Sequence, residues 1–322
     1  MLRASGQGQV TRAVVFAYHN VGVRCLDVLR AGGVTVCLVL THEDDPDEAI
    51  WFESVAARAH LYSIPVITPR DPNLIEVIER VRSSAPDIVF SFYYRHLLGP
   101  RLLAFPRLGA FNIHGSLLPK YRGRAPVNWA ILHGAPETGA TLHEMTAKPD
   151  AGRIVDRERV PILPNDLARE VFDKVTLAAE IVLERSLPSL LTGTARLEPQ
   201  DLAAGSCYGR RRPADGAIDP DWPTRRIHDL VRAVAPPYPG AFCMIEGRRL
   251  RLLRTFDSGE RATPASRTAL LARDAALQLR GADGGMLLVL QAELDGLPFN
   301  ADRMRELFGM DSLTLQKISA NT

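Results

Sequence analysis

The chain has 322 residues, enough for two domains of ordinary size, and 46% of them are hydrophobic, which excludes a disordered protein. Lys plus Arg number 39 against 37 Asp plus Glu, and the formal charge of +2 lacks the long-range field that a polyanion partner requires. Cys25, Cys37, Cys207 and Cys243 are scattered, with no C-x-x-C pair and no His cluster at metal-ligand spacing, so they read as reduced structural thiols and no metal is expected.

The stretch Met1 to Thr11 is polar and lacks an apolar signal core, and no run approaches the length of a membrane span. A cytoplasmic location away from the membrane is expected. Ala13 to Tyr18 is an apolar run, followed by a helix-like stretch through Cys25, Leu26 and Leu29 and a second, β-branched run at Val34 to Leu40. Pro65 to Thr68 and Ile88 to Phe92 read as further strands with a helix at Asn73 to Val81 between them, and Ala110 to His114 reads as the next strand. The alternation predicts an α/β domain built on a mainly parallel sheet.

Asn165 and Asp166 are good N-cap residues, and Leu167, Val171, Val175, Ala178 and Val182 then recur at helical spacing. The segment from Thr192 to Trp222 is rich in Gly, Pro and polar residues, which places the boundary within it: residues 1–203 as one domain and 204–322 as a second. Beyond it come a helix at Arg226 to Val234 and five short strands, Ala241 to Ile245, Arg249 to Thr255, Thr268 to Ala272, Ala276 to Leu279 and Met286 to Leu290. A terminal helix is predicted at Asp302 to Phe308. These predict a small, mainly antiparallel β domain of the open-barrel (OB-like) kind.

The segment richest in chemistry is Phe-Asn-Ile-His-Gly-Ser-Leu-Leu-Pro, Phe111 to Pro119. Asn112 and His114 stand two apart on a predicted strand and so share a face, which puts an amide and an imidazole in one crevice. That crevice lies where open α/β sheets bind ligands. Taken alone, Asn-x-His more often marks a turn-forming Asn beside a structural His. Asp150 taken alone, before Ala151 and Gly152, is more often a turn residue.

Read with Tyr121-Arg122-Gly123-Arg124-Ala125-Pro126 and Lys148-Pro149-Asp150-Ala151-Gly152, however, the segment resembles the folate-dependent formyltransferase family. Val231-Arg232-Ala233 and Tyr238 to Phe242 are similar to that family's C-terminal-domain signature. The resemblance implies a Rossmann-like catalytic domain and 10-formyltetrahydrofolate as formyl donor, with neither metal nor covalent intermediate. It implies Asn112 as the amide donor to an oxyanion, His114 as the group that stabilises it and supplies a proton, and Asp150 as the carboxylate that orients or charges His114. His96, Leu97, Leu98, Arg124, Thr146, Ala147, Lys148, Pro149 and Asp150 would line the folate site; Leu97 and Leu98 read equally well as core, and Arg124 as a solvated loop residue.

Within the family, Val15 to His19, Phe90 to Leu97 and Asn112 to Pro126 resemble members that formylate UDP-4-amino-4-deoxy-L-arabinose in lipid A modification and polymyxin resistance. The implied partners are small molecules, the folate and a UDP-linked amino sugar, with no nucleic acid and no membrane; the oligomeric state stays open, a homo-oligomer included. Arg210, Arg211 and Arg212 read as a solvated basic run or as a diphosphate clamp. No G-x-G-x-x-G follows a strand, so dinucleotide chemistry is not expected.

Three other readings remain. Another nucleotide-linked amino sugar, or a hydroxyornithine-type amine, fits the same chemistry. Methionyl-tRNA formylation uses the same trio, but the segment Thr41 to Glu48 is short and acidic where a phosphate-gripping insertion would be basic. A nucleotide-binding module that has lost the chemistry has no need of Asn112, His114 and Asp150 together.

Overall fold

The computed structural model describes residues 10–46 and 48–318. Residues 1–9, on which the signal-segment expectation mostly rests, lie outside the described residues, as does Asp47 of the acidic segment. Among the described residues no helix is long and apolar enough to cross a membrane. All four cysteines are free: Cys25 and Cys243 are buried, Cys37 is half-buried and Cys207 exposed.

The chain begins with β1 (Arg12–Ala17), α1 (His19–Ala31), β2 (Thr35–Leu40), α2 (Val55–Leu61), β3 (Val66–Ile67), α3 (Ile75–Ser83), β4 (Ile88–Phe92), α4 (Pro100–Leu103) and β5 (Ala110–His114). Unbroken apolar runs form β1 and β4 because both faces of these strands are covered; Ala13 to Ala17 and Ile88 to Phe92 are buried without interruption. The short strand β6 (Arg122–Gly123), α5 (Pro126–Leu132), β7 (Glu137–Glu144), β8 (Ile154–Pro161) and the long helix α6 (Ala168–Thr192) follow.

The first sheet has the order β3-β2-β1-β4-β5-β7-β8. Its first four pairings are parallel and β5 pairs with β7 antiparallel, so the expected mainly parallel sheet is present with an antiparallel margin. The chain leaves β1 towards β2 and β3 and returns to β4 on the other side, which makes the carboxyl ends of β1 and β4 the topological switch point.

After β9 (Cys207–Tyr208), which pairs with β6, come α7 (Thr224–Ala233), β10 (Ala241–Ile245), β11 (Arg248–Phe256), β12 (Ala269–Arg273), β13 (Ala276–Arg280), β14 (Met286–Leu294), β15 (Leu297–Pro298), α8 (Ala301–Phe308) and β16 (Ser312–Thr314). The pairs described in this second sheet are antiparallel, and its order is β10-β11-β14-β13-β12-β16. Gln316, just past β16, bridges to Met244 of β10, so the sheet's two edges meet and the barrel is nearly closed. Closure removes the open edges that a small sheet would otherwise expose.

The chain folds into two compact units, each made of three segments. The first takes the residues up to Gly123 with Gly139–Val160 and Lys174–Cys207; the second takes Arg124–Thr138, Pro161–Asp173 and the chain from Tyr208 onward. In the second unit, α7 is tied down by buried polar groups. His228 bonds Thr255 Oγ1 at 2.8 Å and the Pro164 carbonyl at 3.0 Å, while Arg232 donates to Asp229 at 2.8 Å and to the carbonyls of Leu163 and Asp166.

Candidate active site

Asn112 and His114 stand on β5, and the turn after them is stitched back beneath the strand. Ser116 Oγ donates to the Lys120 carbonyl at 2.7 Å, Thr141 Oγ1 donates to the Ser116 carbonyl at 2.6 Å, and the Tyr121 N–H is held by Ser206 Oγ at 2.9 Å. These bonds set the Tyr121 carbonyl 2.8 Å from His114 Nε2. A carbonyl can only accept, so Nε2 carries the hydrogen and Nδ1 is the nitrogen left open.

That open nitrogen faces Asp150. Oδ1 of Asp150 lies 3.6 Å from His114 Nδ1, beyond hydrogen-bond length but well within ion-pair range. Oδ2 accepts the Gly123 N–H at 2.9 Å. Asp150 adopts a left-handed backbone, φ 52°, uncommon for a residue with a side chain, and its carbonyl accepts from Gln200 Nε2 at 3.1 Å. The same Gln200 amide binds the Gly152 carbonyl at 2.6 Å, which fixes the segment on both sides of the strained residue. Burial works against charge on Asp150, but His114, the Gly123 N–H and Arg122 outweigh it, and its carboxyl sits below the usual value.

His143 is a fourth member that sequence reasoning missed. It lies on β7 directly across from Asn112, with Nε2 3.1 Å from Asn112 Nδ2 and 3.7 Å from Asp150 Oδ1. Its side chain is 2% exposed, and burial lowers its pKa to about 4 against the opposing pull of Asp150. The only signal that finds it is the β5–β7 register, since no motif surrounds it in the sequence.

The structure therefore brings Asn112, His114 and Asp150 together. Of the residues the resemblance assigns to the folate, Leu98 packs on the sheet core beside Tyr94 and Met145, whereas His96 and Leu97 are exposed, Leu97 at 65%. Thr146, Ala147, Lys148 and Pro149 form an exposed run that leads into Asp150, with Thr146 Oγ1 donating to the Lys148 carbonyl at 2.9 Å. Arg124 is exposed and falls in the second unit, one residue past the Gly123 N–H that holds Asp150. In the basic run, Arg211 lies over the Trp129 ring at 5.0 Å and donates to the Asp215 carbonyl at 2.8 Å, so that guanidinium is already engaged.

At the carboxyl ends of β1, β2 and β4 a ring cluster anchors the acidic segment. His42 Nε2 accepts the Arg95 N–H at 3.0 Å and its ring stacks on Tyr94 at 4.2 Å; burial, helped by His96 and Arg95, lowers its pKa to about 4. Tyr18 donates to Asp44 at 2.8 Å, and Arg95 pairs with Glu48 at 2.7 Å. Among the described residues, no group of three His, Cys, Asp or Glu side chains is arranged to hold a metal ion.

Chemically, the cluster around Asp150 combines an amide donor, an imidazole with one open nitrogen and an ionised carboxylate. Those are the components for moving a proton and meeting the negative charge that builds on a carbonyl oxygen when its carbon is attacked.

The chain is similar in fold to several solved structures. One is WlaRD, a sugar 3N-formyltransferase solved with dTDP and 5-N-formyl-THF, at 20% identity and a TM-score of 0.67 over 87% of this chain and 97% of that one. Another is an N-formyltransferase from Helicobacter canadensis in complex with folinic acid and dTDP-3-aminofucose, at 20% identity and a TM-score of 0.67 over 87% and 99% of the two chains. HypX from Aquifex aeolicus, solved with tetrahydrofolic acid, aligns at 17% identity and a TM-score of 0.63 over 92% of this chain but only 47% of its own. The formyl transferase family matches residues 4–187, and its C-terminal domain matches residues 211–301. With more than half of its length matched by the first of these and a separate match to the second, the chain is an enzyme of the formyl transferase family.

Proposed function

We propose that this enzyme transfers the formyl group of 10-formyltetrahydrofolate to the 4-amino group of UDP-4-amino-4-deoxy-L-arabinose, with Asn112, His114 and Asp150 as its catalytic residues. That is the reaction of the formyltransferase half of the bifunctional bacterial protein ArnA, which the stretches Val15 to His19, Phe90 to Leu97 and Asn112 to Pro126 resemble. The observation that carries the reading is the placement of Asp150 Oδ1 3.6 Å from the open nitrogen of His114, two residues after Asn112 on β5.

In the reaction, the amine nitrogen bonds to the formyl carbon while the bond from that carbon to the folate nitrogen breaks. One proton leaves the amine and one reaches the departing nitrogen. The Asn112 amide meets the negative charge that builds on the formyl oxygen. His114 Nε2–H is committed to the Tyr121 carbonyl, so Nδ1 is the atom that carries the travelling proton. The ionised Asp150 carboxylate lies beside that nitrogen, so its negative charge faces the atom through which the proton passes.

The residues fit a folate. Leu97 is exposed, Leu98 is half-buried and Thr146 to Pro149 form an exposed run leading into Asp150, a mixture of apolar and polar groups of the kind that lines sites for flat heteroaromatic rings. The two sugar N-formyltransferases of similar fold, both crystallised with thymidine nucleotides, support a nucleotide-linked amino sugar as the acceptor class. Glu43, Asp44, Asp45 and Glu48, held at the switch point, oppose a phosphate backbone and so disfavour a tRNA acceptor. We place the catalytic domain at residues 1–203 and the small β domain at 204–322, a division supported by the gap between the two family matches. The site's chemistry requires no metal, and the reading assigns the enzyme to the cytoplasm.

The test is an assay with 10-formyltetrahydrofolate and UDP-4-amino-4-deoxy-L-arabinose that follows tetrahydrofolate release and the mass of the sugar product. Gain of one carbonyl unit, lost in His114→Ala, is the expected result. Folate binding without turnover would move the acceptor to another nucleotide-linked amino sugar, and absence of folate binding would overturn the reading.

A further inference from the structure

The two nitrogens of His143 face different partners, and the polarity of each contact follows from the other. Nδ1 lies 2.9 Å from the main-chain carbonyl of Glu144. A carbonyl oxygen only accepts, so Nδ1 must carry a hydrogen. Burial holds the ring neutral, and a neutral imidazole has one N–H, so Nε2 is a bare acceptor.

The atom of Asn112 that sits 3.1 Å from Nε2 must then be a donor. Only the amide nitrogen qualifies. An Asn side chain can be turned end over end with almost no change of shape, and its orientation is settled by its hydrogen bonds. Here the ring settles it. Among the described residues this is the Asn112 side chain's sole hydrogen bond, so its second N–H stays available.

We propose that His143 is the positioning residue of the site: a relay running from the Glu144 carbonyl through Nδ1–H, the ring and Nε2 fixes Asn112 so that it presents nitrogen, not oxygen, to the space shared with His114 and Asp150. The consequence rests on the formyl-transfer reading above. An oxyanion meets attraction from an amide N–H and repulsion from an amide oxygen, and the two orientations differ only by the flip that His143 decides. The relay also accounts for a buried histidine that makes no proton transfer itself. Its Nε2 lies 3.7 Å from Asp150 Oδ1, too far for a hydrogen bond, as two acceptors should be.

The first experiment reads the relay without turnover. In the full chain labelled with 15N-histidine, the His143 resonances, identified by their loss in His143→Gln, should show the Nδ1–H tautomer at pH 7. An Nε2–H tautomer or an imidazolium would overturn the relay, whatever the enzyme's substrate proves to be.

The second experiment is a double-mutant cycle in steady-state formyl transfer. His143→Leu should lower kcat about 10- to 100-fold, less than the roughly 10²- to 10³-fold loss on removing an oxyanion donor outright. KM for both substrates should stay within about threefold of wild type, as for an interaction made only in the transition state. Adding His143→Leu to Asn112→Ala should cost little more, because the amide it positions is gone. An equal fractional loss in both backgrounds would overturn the proposal.

Should His143→Leu fail to fold, two amides decide. His143→Gln sets an acceptor near the Nε2 position and should recover most of the rate, whereas His143→Asn reaches only the Nδ1 position and should not. Equal rates for the two would count against the relay. A wild-type enzyme without formyl transfer would overturn the proposed reaction and leave the tautomer measurement to judge His143.

Discussion

Asp150 divides its two carboxylate oxygens between different tasks: Oδ2 is anchored by the Gly123 N–H at 2.9 Å, while Oδ1 faces His114 Nδ1 at 3.6 Å. Asp150→Asn keeps an oxygen for the Gly123 N–H and removes the charge from the side facing the imidazoles. It should therefore fold with a near-normal melting temperature while turnover falls roughly 10²- to 10⁴-fold, the range of a lost general acid–base partner. His114→Ala should behave alike. Tetrahydrofolate release and thermal melting on the same preparations check both, and wild-type turnover in either variant would remove the pair from the mechanism.

Acid should weaken the fold in two stages. The pKa values of His143 and His42 are lowered to about 4 from an unfolded value of 6.5, so between those limits the unfolded chain binds more protons. Stability is full above pH 6.5 and is lost as pH falls towards 4. For the fully buried His143 the loss is on the order of 3 kcal/mol. Asp150, held below the usual carboxylate value, adds a further loss as pH drops through its folded pKa. Urea unfolding at pH 7, 6 and 5 should show a falling free energy, and His143→Gln should flatten part of the slope.

Gly152 lies against the strand that carries the relay. A Cβ there would fall 1.8 Å from the Glu144 carbonyl oxygen, a distance that only backbone movement can relieve. Gly152→Ala should cost about 1–3 kcal/mol of stability and depress turnover by displacing Asp150 and β7 together. Gly209, with open space where a Cβ would stand, is the control, and Gly209→Ala should stay within about 0.5 kcal/mol of wild type.

In the second unit, the Arg232 side chain is 1% exposed and pairs with the buried Asp229. Arg232→Met leaves that carboxylate with Arg225 alone and removes the donors to the Leu163 and Asp166 carbonyls. A loss of about 3–5 kcal/mol is expected. Adding Asp229→Leu should return part of it, since no lone buried charge then remains; denaturant unfolding of the three proteins distinguishes a pair that matters as a pair from one that does not.

The elements with strong apolar runs were legible in the sequence. The predicted strands at Ile88 to Phe92, Ala110 to His114 and Ala241 to Ile245 coincide with β4, β5 and β10. β7 was not. Its residues from Thr138 to His143 are buried without a break, yet they read Thr-Gly-Ala-Thr-Leu-His, small and polar side chains that carry no alternation. They are small because β7 is crowded: a Cβ on Gly139 would stand 2.0 Å from the Glu158 carbonyl oxygen.

Missing β7 meant missing His143, whose place beside Asn112 is a fact of strand register rather than of spacing along the chain. α5, at seven residues, was too short to show helical periodicity. The trio itself was legible through its motifs, while the open nitrogen of His114 depended on the turn that brings back the Tyr121 carbonyl.

The second unit also has an order of assembly written into it. Asn128 on α5 donates to the Ala233 carbonyl at the end of α7 at 2.7 Å, a bond that spans 105 positions of sequence. A growing chain releases α5 first and must wait roughly 5–20 s, at ordinary rates of synthesis, before α7 exists to receive it. A seven-residue helix does not persist unaided in water. Val127, Ala130 and Ile131, buried in the finished fold, wait through that interval without α7 as a partner for their helix, and a ribosome that stalls before residue 224 leaves α5 without it.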